Sequence, residues 1–283
     1  MDAPQYITRD ALEALRGARD FAWPGPGVWA AGSLEGLRRP CVAVVGTRAA
    51  TPYGRRLAHD IARELAAAGC CVVSGLALGI DAAAHEGALA AGGATVGVLG
   101  GGHAAFFPKR NRPLAGRMLA AGSVLSAYPP DHPPQPFQFI QRNALVAALA
   151  DAVLVIEAPA RSGALNTAHW AAPRIPVLAV PGDVDRLHVQ GCHELIRDGA
   201  ILARGAGDVL EVLGIARDRA AAMRPRRDGL AGRLAEHLAG GERDLDALVE
   251  ATGVAAHEVL AALAMLELDG SVERRGARFA LLH

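Results

Sequence analysis

The stretch CVAVVGTRAATPYGRRLAHDIARELAAAGCCVVSGLALGIDAAAHEGALAAGGATVGVLGGG (41–102) decides the fold. Its first six residues are an apolar run closed by glycine, the pattern of a strand buried on both faces. Residues 52–68 change to helical spacing, with Leu57, Ile61 and Leu65 on one face. Strand 70–74, helix 79–91 and strand 94–99 follow in the same rhythm. Downstream, the pattern predicts strands at 123–126, 152–156 and 176–180 and helices at 110–121, 141–149 and 164–172. Strands alternating with helices of this length imply right-handed crossovers and an α/β fold, a doubly wound and mostly parallel sheet over 41–215. Ligands of such sheets gather at the carboxyl ends of the strands, where the glycines of this chain fall.

The flanks read differently. Residues 1–40 form a short N-terminal extension, irregular after one helical candidate near Thr8–Ala18 and broken by WPGPG at 23–27. Residues 216–228, ARDRAAAMRPRRD, carry five arginines and a proline and read as an exposed linker. Beyond it come helical stretches near 229–239, 244–250 and 255–267. DGSVERRGARFALL then reads as two short strands about a glycine turn. Three helices and a hairpin make a winged-helix pattern over 229–283.

Apolar residues make up 51% of the 283, enough for a sizeable core, and aromatics only 4%. Lys+Arg and Asp+Glu stand at 29 each. No global positive field therefore draws the chain to nucleic acid, and any such binding rests on local patches. Lys109 is the only lysine, so the positive charge is almost all arginine, whose planar fork of donors suits phosphate. Cys41, Cys70, Cys71 and Cys192 form no CxxC pair and read as small buried hydrophobes. The opening MDAPQYITRD lacks the basic region and apolar run of a signal peptide, and no charge-free apolar stretch reaches ~18 residues. The expectation is a cytoplasmic protein without a membrane span, metal or cofactor.

Several loops can hold an anion. Gly46-Thr47-Arg48 follows the first strand and precedes a helix, whose N-terminus offers unpaired N–H groups and a positive dipole end. SGLALGID (74–81) and GGG (100–102) close the next two strands, and the three loops together form a lip. On the tripeptide alone, an ordinary strand-to-helix turn is the favoured reading. The dinucleotide fingerprint GxGxxG is absent, and no lysine follows a glycine, so there is no Walker loop. Asp81 and His85, four apart, read as a hydrogen-bonded pair orienting the loop rather than as metal ligands. Arg142 and Asn143 open the predicted helix 141–149, to contact phosphate and base edges or simply to cap it, with Phe137 or Phe139 able to stack on a base. Ser162, Gly163 and Thr167 place small donors at another helix N-terminus. Glu157, at the end of the strand before it, reads as an acceptor for those N–H groups rather than as a base.

Together these segments resemble the DNA-processing protein A family (DprA, also called Smf). VAVVGTRAATPYG is similar to its strand-loop-helix opening. VVSGLALGIDAAAHEGAL follows the family's SGxAxGIDxxAHxxAL signature, which is highly specific. Arg142-Asn143, VLVIEAPARSGALNTA, VLAVPG (177–182) and GCHELIRDGA (191–200) come in the family's order. The match runs from about residue 28 to 213, and the tail resembles the winged helix that some members carry. The resemblance implies an extended Rossmann-like core that binds and protects single-stranded DNA and loads the RecA recombinase in natural transformation and recombination. It implies a homodimer and no catalysis. Carried over by motif, the DNA pocket includes Gly46, Thr47, Arg48, Ser74, Gly75, Arg142, Asn143, Ser162, Gly163 and Thr167.

The chain departs from the family pattern in places. FIQRNA stands where FPxRNR is usual, so Ala144 replaces an arginine and Ile140 a proline. Ser126-Ala127-Tyr128-Pro129 replaces SEYP. The helix after Thr167 reads about two residues short, with Pro173 near an expected glycine. About 40 residues precede the core, where many members carry a helical domain. Two other readings compete: a phosphoribohydrolase-like nucleotide enzyme, whose PGGxGTxxE signature is lacking, and a regulator whose wing arginines Arg274, Arg275 and Arg278 contact duplex DNA.

Overall fold

The computed structural model describes residues 3–17, 23–215, 229–238, 240–268 and 271–281. The chain divides into two compact units, Met1–Ala222 and Met223–His283. The arginine-rich stretch 216–228 read as a linker lies outside the described residues.

The first unit opens with β1 (Gln5–Thr8), α1 (Arg9–Arg16) and β2 (Gly27–Gly32). The alternation then runs β3 (Cys41–Val45), α2 (Pro52–Ala67), β4 (Cys71–Ser74), α3 (Ile80–Ala90), β5 (Thr95–Leu99), α4 (Arg112–Met118), β6 (Ser123–Ser126), α5 (Gln138–Ala148), β7 (Ala152–Val155), α6 (Gly163–Ala171) and β8 (Val177–Ala179). It ends with α7 (Gln190–Arg197), β9 (Ile201–Leu202) and α8 (Ala206–Val212). The nine strands lie in the order β1-β2-β6-β5-β4-β3-β7-β8-β9. From β6 to β9 neighbours pair in parallel, and β1 and β2 pair antiparallel at the β6 edge.

β3 lies inside this order, between β4 and β7. All five of its residues are buried, and alternate side chains feed two cores. Cys41, Ala43 and Val45 join one layer, and Val42 and Val44 the other. Leu65 and Ile61 of α2 fill the second layer, each contributing roughly 1.5–3 kcal/mol on burial. α2 and α3 approach closely because Gly87 faces the His59 carbonyl, and a Cβ there would lie 2.0 Å from its oxygen. The four cysteines are buried, and none forms a disulfide. No single described helix is long and apolar enough to cross a membrane.

The N-terminal extension is not irregular. β2 buries Val28, Ala30 and Ala31 against β6, so the sheet gains two strands that neither alternation nor length announced. The breakers of WPGPG end where β2 begins. α1 is capped by Thr8, whose hydroxyl accepts from Ala11 N at 3.3 Å. The helix then delivers Arg16 to a buried ion pair with Asp151, 2.6 Å apart. The same Asp151 oxygen accepts the amide of Cys41 at 2.6 Å. Arg16 also donates to the carbonyls of Leu37 and Arg39. The predicted helix 110–121 is shorter, because Lys109–Asn111 is a separate 3-10 turn whose Asn111 amide binds the Leu76 and Ala77 carbonyls.

The second unit contains α9 (Leu230–Leu238), β10 (Arg243–Asp244), α10 (Leu245–Thr252), α11 (Ala256–Leu268), β11 (Val272–Arg275) and β12 (Arg278–Leu281). Its core is Leu234, Leu238, Leu248, Val259, Leu263, Leu266, Val272 and Phe279. α10 and α11 meet at 111°, the crossing of a helix-turn-helix. β10 is a third strand that the hairpin pattern did not predict, and it pairs with β12.

His85 is fully buried, and its ring state follows from its partners. Thr95 spends its one hydroxyl proton on the Val72 carbonyl (2.8 Å), so His85 Nδ1, at 2.7 Å, carries a proton and donates. Burial first, and the charge of Arg142 second, push its pKa from 6.5 down to about 3. Between those values the unfolded chain binds a proton that the folded chain refuses. Stability therefore falls on acidification below 6.5, by up to about 1.4 kcal/mol per pH unit from this group. NMR titration is expected to show the His85 ring neutral down to about pH 4, and a ring that titrates near 6.5 in the folded protein contradicts this.

Candidate nucleic-acid interface

The strand order reverses at β3. The chain steps from β3 through β4 and β5 to β6 on one side, then returns to lay β7 on the other. At such a switch point the loops leaving two neighbouring strands part in opposite directions and open a crevice. Here a cleft of about 450 Å³ lies beyond the carboxyl ends of β3 and β7. Nine of the ten residues expected at the site line it: Gly46, Thr47, Arg48, Gly75, Arg142, Asn143, Ser162, Gly163 and Thr167. Ser74 does not. Its hydroxyl is buried and donates to the Val44 carbonyl at 2.6 Å, so it holds β3 to β4.

Arg142 is the floor of the cleft. It lies inside α5, which starts at Gln138, so neither Arg142 nor Asn143 opens that helix as expected. Asn143 is no cap either; its amide donates to the Gly163 carbonyl at 3.0 Å and joins α5 to the start of α6. The Arg142 guanidinium is buried beneath Gly75, where a Cβ would lie 2.0 Å from Nη1. Nη1 donates to the Val98 carbonyl, and the buried Nε has no hydrogen-bond partner. Burial lowers its pKa to about 10, against the attraction of Asp81, and Arg48 pushes the same way. It is still a cation at neutral pH. Asp81 is buried too, and desolvation raises its pKa despite Arg142.

Arg48 is exposed at the opposite lip, its guanidinium 5.4 Å from the Phe139 ring centre. Phe107 meets Phe139 edge-on at 5.8 Å, leaving an aromatic wall beside the cations. Arg161, also exposed, lines the third side. Reading the motif ARSGALNTA as a helix start drew attention to its small donors and passed over this arginine, although charge at a strand end was the available signal.

The backbone donors of the lip are largely spoken for. The Gly75 and Ala77 amides donate to Asp81 at 3.1 and 3.3 Å. Asp81 thus orients the loop alone, while His85 turns to Thr95 and the two do not pair. Thr47 N donates to the Glu157 carbonyl at 2.7 Å. The Glu157 carboxylate does not reach the start of α6. It sits at the N-terminus of α2, where it accepts from Thr51 N (2.9 Å) and Thr51 Oγ1 (2.5 Å), filling the place expected for an anion. Gly54 is required there, since a Cβ would lie 2.2 Å from that carboxyl carbon. At α6 the Ser162 hydroxyl accepts from Ala164 N. The free positive charge of the cleft is therefore carried by guanidinium groups. Among the described residues no cluster of three His, Cys, Asp or Glu side chains can hold a metal ion.

The molecule is thus an extended Rossmann-like protein with an arginine-lined cleft at its switch point and a winged-helix unit in its C-terminal part. It belongs to the DNA recombination-mediator protein A family, whose model matches residues 13–214, and the DprA winged helix domain model matches 218–278. A putative DNA processing protein DprA of Mycobacterium tuberculosis is 41% identical over 272 residues, 90% of this chain and 68% of that one. The DNA processing protein DprA of Streptococcus pneumoniae is 41% identical over 180 residues, 63% of this chain and 64% of that one. The X-ray structure of the Streptococcus pneumoniae protein superposes with a TM-score of 0.68 at 35% identity, covering 74% of each chain. A Helicobacter pylori DprA structure, described for its single-stranded DNA binding mode, gives 0.64 at 28% identity over 74% of this chain and 95% of that one.

Replacing Glu157 with Ala leaves the Thr51 amide and hydroxyl without their acceptor inside the fold. The expected loss is about 2–4 kcal/mol in urea denaturation, with Glu157→Gln losing less because it keeps one acceptor. Equal stability of all three proteins contradicts the assignment.

Proposed function

We propose that this chain binds single-stranded DNA in the switch-point cleft, protects it and loads the RecA recombinase onto it, as a cytoplasmic homodimer and without catalysing a reaction. The observation that carries the reading is the convergence of Arg48, Arg142 and Arg161 on one cleft whose other side is aromatic. Cations placed for phosphates beside rings placed for bases suit a flexible single strand, whose bases are free to stack. A rigid duplex presents no such faces. Family membership and the Helicobacter pylori relative support the same substrate.

In this reading side chains rather than loop amides hold the phosphates. The loop amides of Gly75, Ala77 and Thr47 already have acceptors, so phosphates are held by guanidinium groups. Arg48 and Arg161 make exposed contacts, and Arg142 acts from beneath. Gly46, Gly75 and Gly163 keep the approach open, and Thr47, Asn143, Ser162 and Thr167 shape the walls. Ala144 is buried in the core rather than in the cleft lining, so a missing family arginine at that position does not empty the site of charge.

Binding of a labelled single strand is expected to exceed that of its duplex and to fall with salt by about 0.7 in log K per log salt for each phosphate neutralised. Arg48→Ala should flatten that slope by about one such contact. Gly75→Ala should weaken binding as well by displacing Arg142. Unchanged slopes and affinities remove these residues from the site. Release of free base from a nucleoside monophosphate shows an enzyme instead. Recombinase filament growth on the strand, measured with and without the chain, tests loading, and sedimentation tests the dimer.

A further inference from the structure

The helix-turn-helix of the second unit is charged the wrong way for DNA. From Asp244 to Leu268 the chain carries five carboxylates, Asp244, Asp246, Glu250, Glu258 and Glu267, and no lysine or arginine. Among the unit's described residues the arginines lie on α9 and the small sheet instead. A helix that enters the major groove has phosphates on both sides and needs cations near them. α11 offers glutamates.

What α11 does offer is apolar. One face, with Val259, Leu263 and Leu266, is buried in the core. On the opposite face Ala261 and Ala264 lie along the centre, exposed, between Leu260 (44% exposed) and Met265 (66% exposed). At 3.6 residues per turn, Glu258 falls along the outer border on the Met265 side and Glu267 along the border on the Leu260 side. Both are exposed. Small residues on the midline let another helix come close, and a flexible methionine adapts to its side chains. An exposed apolar strip with polar edges marks an interaction surface.

We propose that this face of α11 docks a basic amphipathic helix of a partner protein, with an apolar strip on Ala261, Ala264, Leu260 and Met265 and cationic flanks against Glu258 and Glu267. Charge complementarity selects this occupant. A second copy docking through the same face sets glutamates against glutamates. Anionic lipid is repelled by the same borders.

The test uses the full chain and a fluorescent synthetic helix with a Leu/Ala strip flanked by arginines, beside its glutamate-flanked counterpart, duplex DNA and anionic vesicles. The arginine-flanked helix is expected to bind. Leu260→Asp or Met265→Asp should weaken it about tenfold or more, with circular dichroism and single-strand binding unchanged. The double variant Glu258→Arg with Glu267→Arg should prefer the glutamate-flanked helix. Failure of the arginine-flanked helix to bind overturns the proposal, as does binding indifferent to these substitutions. Duplex or vesicle binding that depends on Leu260 and Met265 overturns it too, as does self-association abolished by Met265→Asp.

Discussion

Everything chemical in the first unit follows from one topological constraint, that β3 has parallel neighbours on both sides whose crossovers leave in opposite directions. No helix can cover the gap between the departing loops. The chain fills it from below with α5, whose Arg142 comes to rest under Gly75. Burying a guanidinium there is costly, and the Val98 carbonyl and Asp81 offset part of the cost. The sheet thereby sets a fixed cation at the bottom of its natural binding crevice.

Two carboxylates complete that arrangement from inside the protein. Glu157 occupies the positive end of α2, and Asp81 gathers the amides of the loop after β4. Each performs locally what a bound anion does in other sheets of this class. These loop amides consequently have acceptors within the fold, and the exposed positive charge of the rim is that of arginine side chains. A cleft built this way selects for reach and spacing of arginines more than for backbone shape.

The strand-helix alternation and the glycine-closed strand ends were legible in the sequence, because each leaves a periodic or compositional trace, whereas the grouping of 46–48, 75, 142–143 and 162–167 came only from the family resemblance. The edge strands β1 and β2 were not legible. Gln5–Thr8 and Gly27–Gly32 are too short and too mixed to show a period, and the pairings of β1 with β2 and of β2 with β6 are long-range. The partners of Asp81, His85 and Glu157 also escaped, since each was matched to its neighbour in sequence and the fold supplied a nearer one in space. Ser74 was misjudged because a hydroxyl at a strand end looks the same whether it faces a ligand or the adjacent carbonyl. Arg161 was overlooked among the smaller donors beside it. The winged-helix unit was readable as three helices and a hairpin, while β10, two residues long, left no pattern.

The ion pair between Arg16 and Asp151 sets the smallest piece of this protein that can be cut out and still fold. A fragment begun at the first core strand keeps Asp151 and discards its cation, stranding a carboxylate at the base of the sheet where about 3–5 kcal/mol is at stake. It also strips β2 from β6 and bares a hydrogen-bonding edge that invites pairing between molecules. For dissection, the residues ahead of Cys41 are part of the Rossmann-like unit in every mechanical sense.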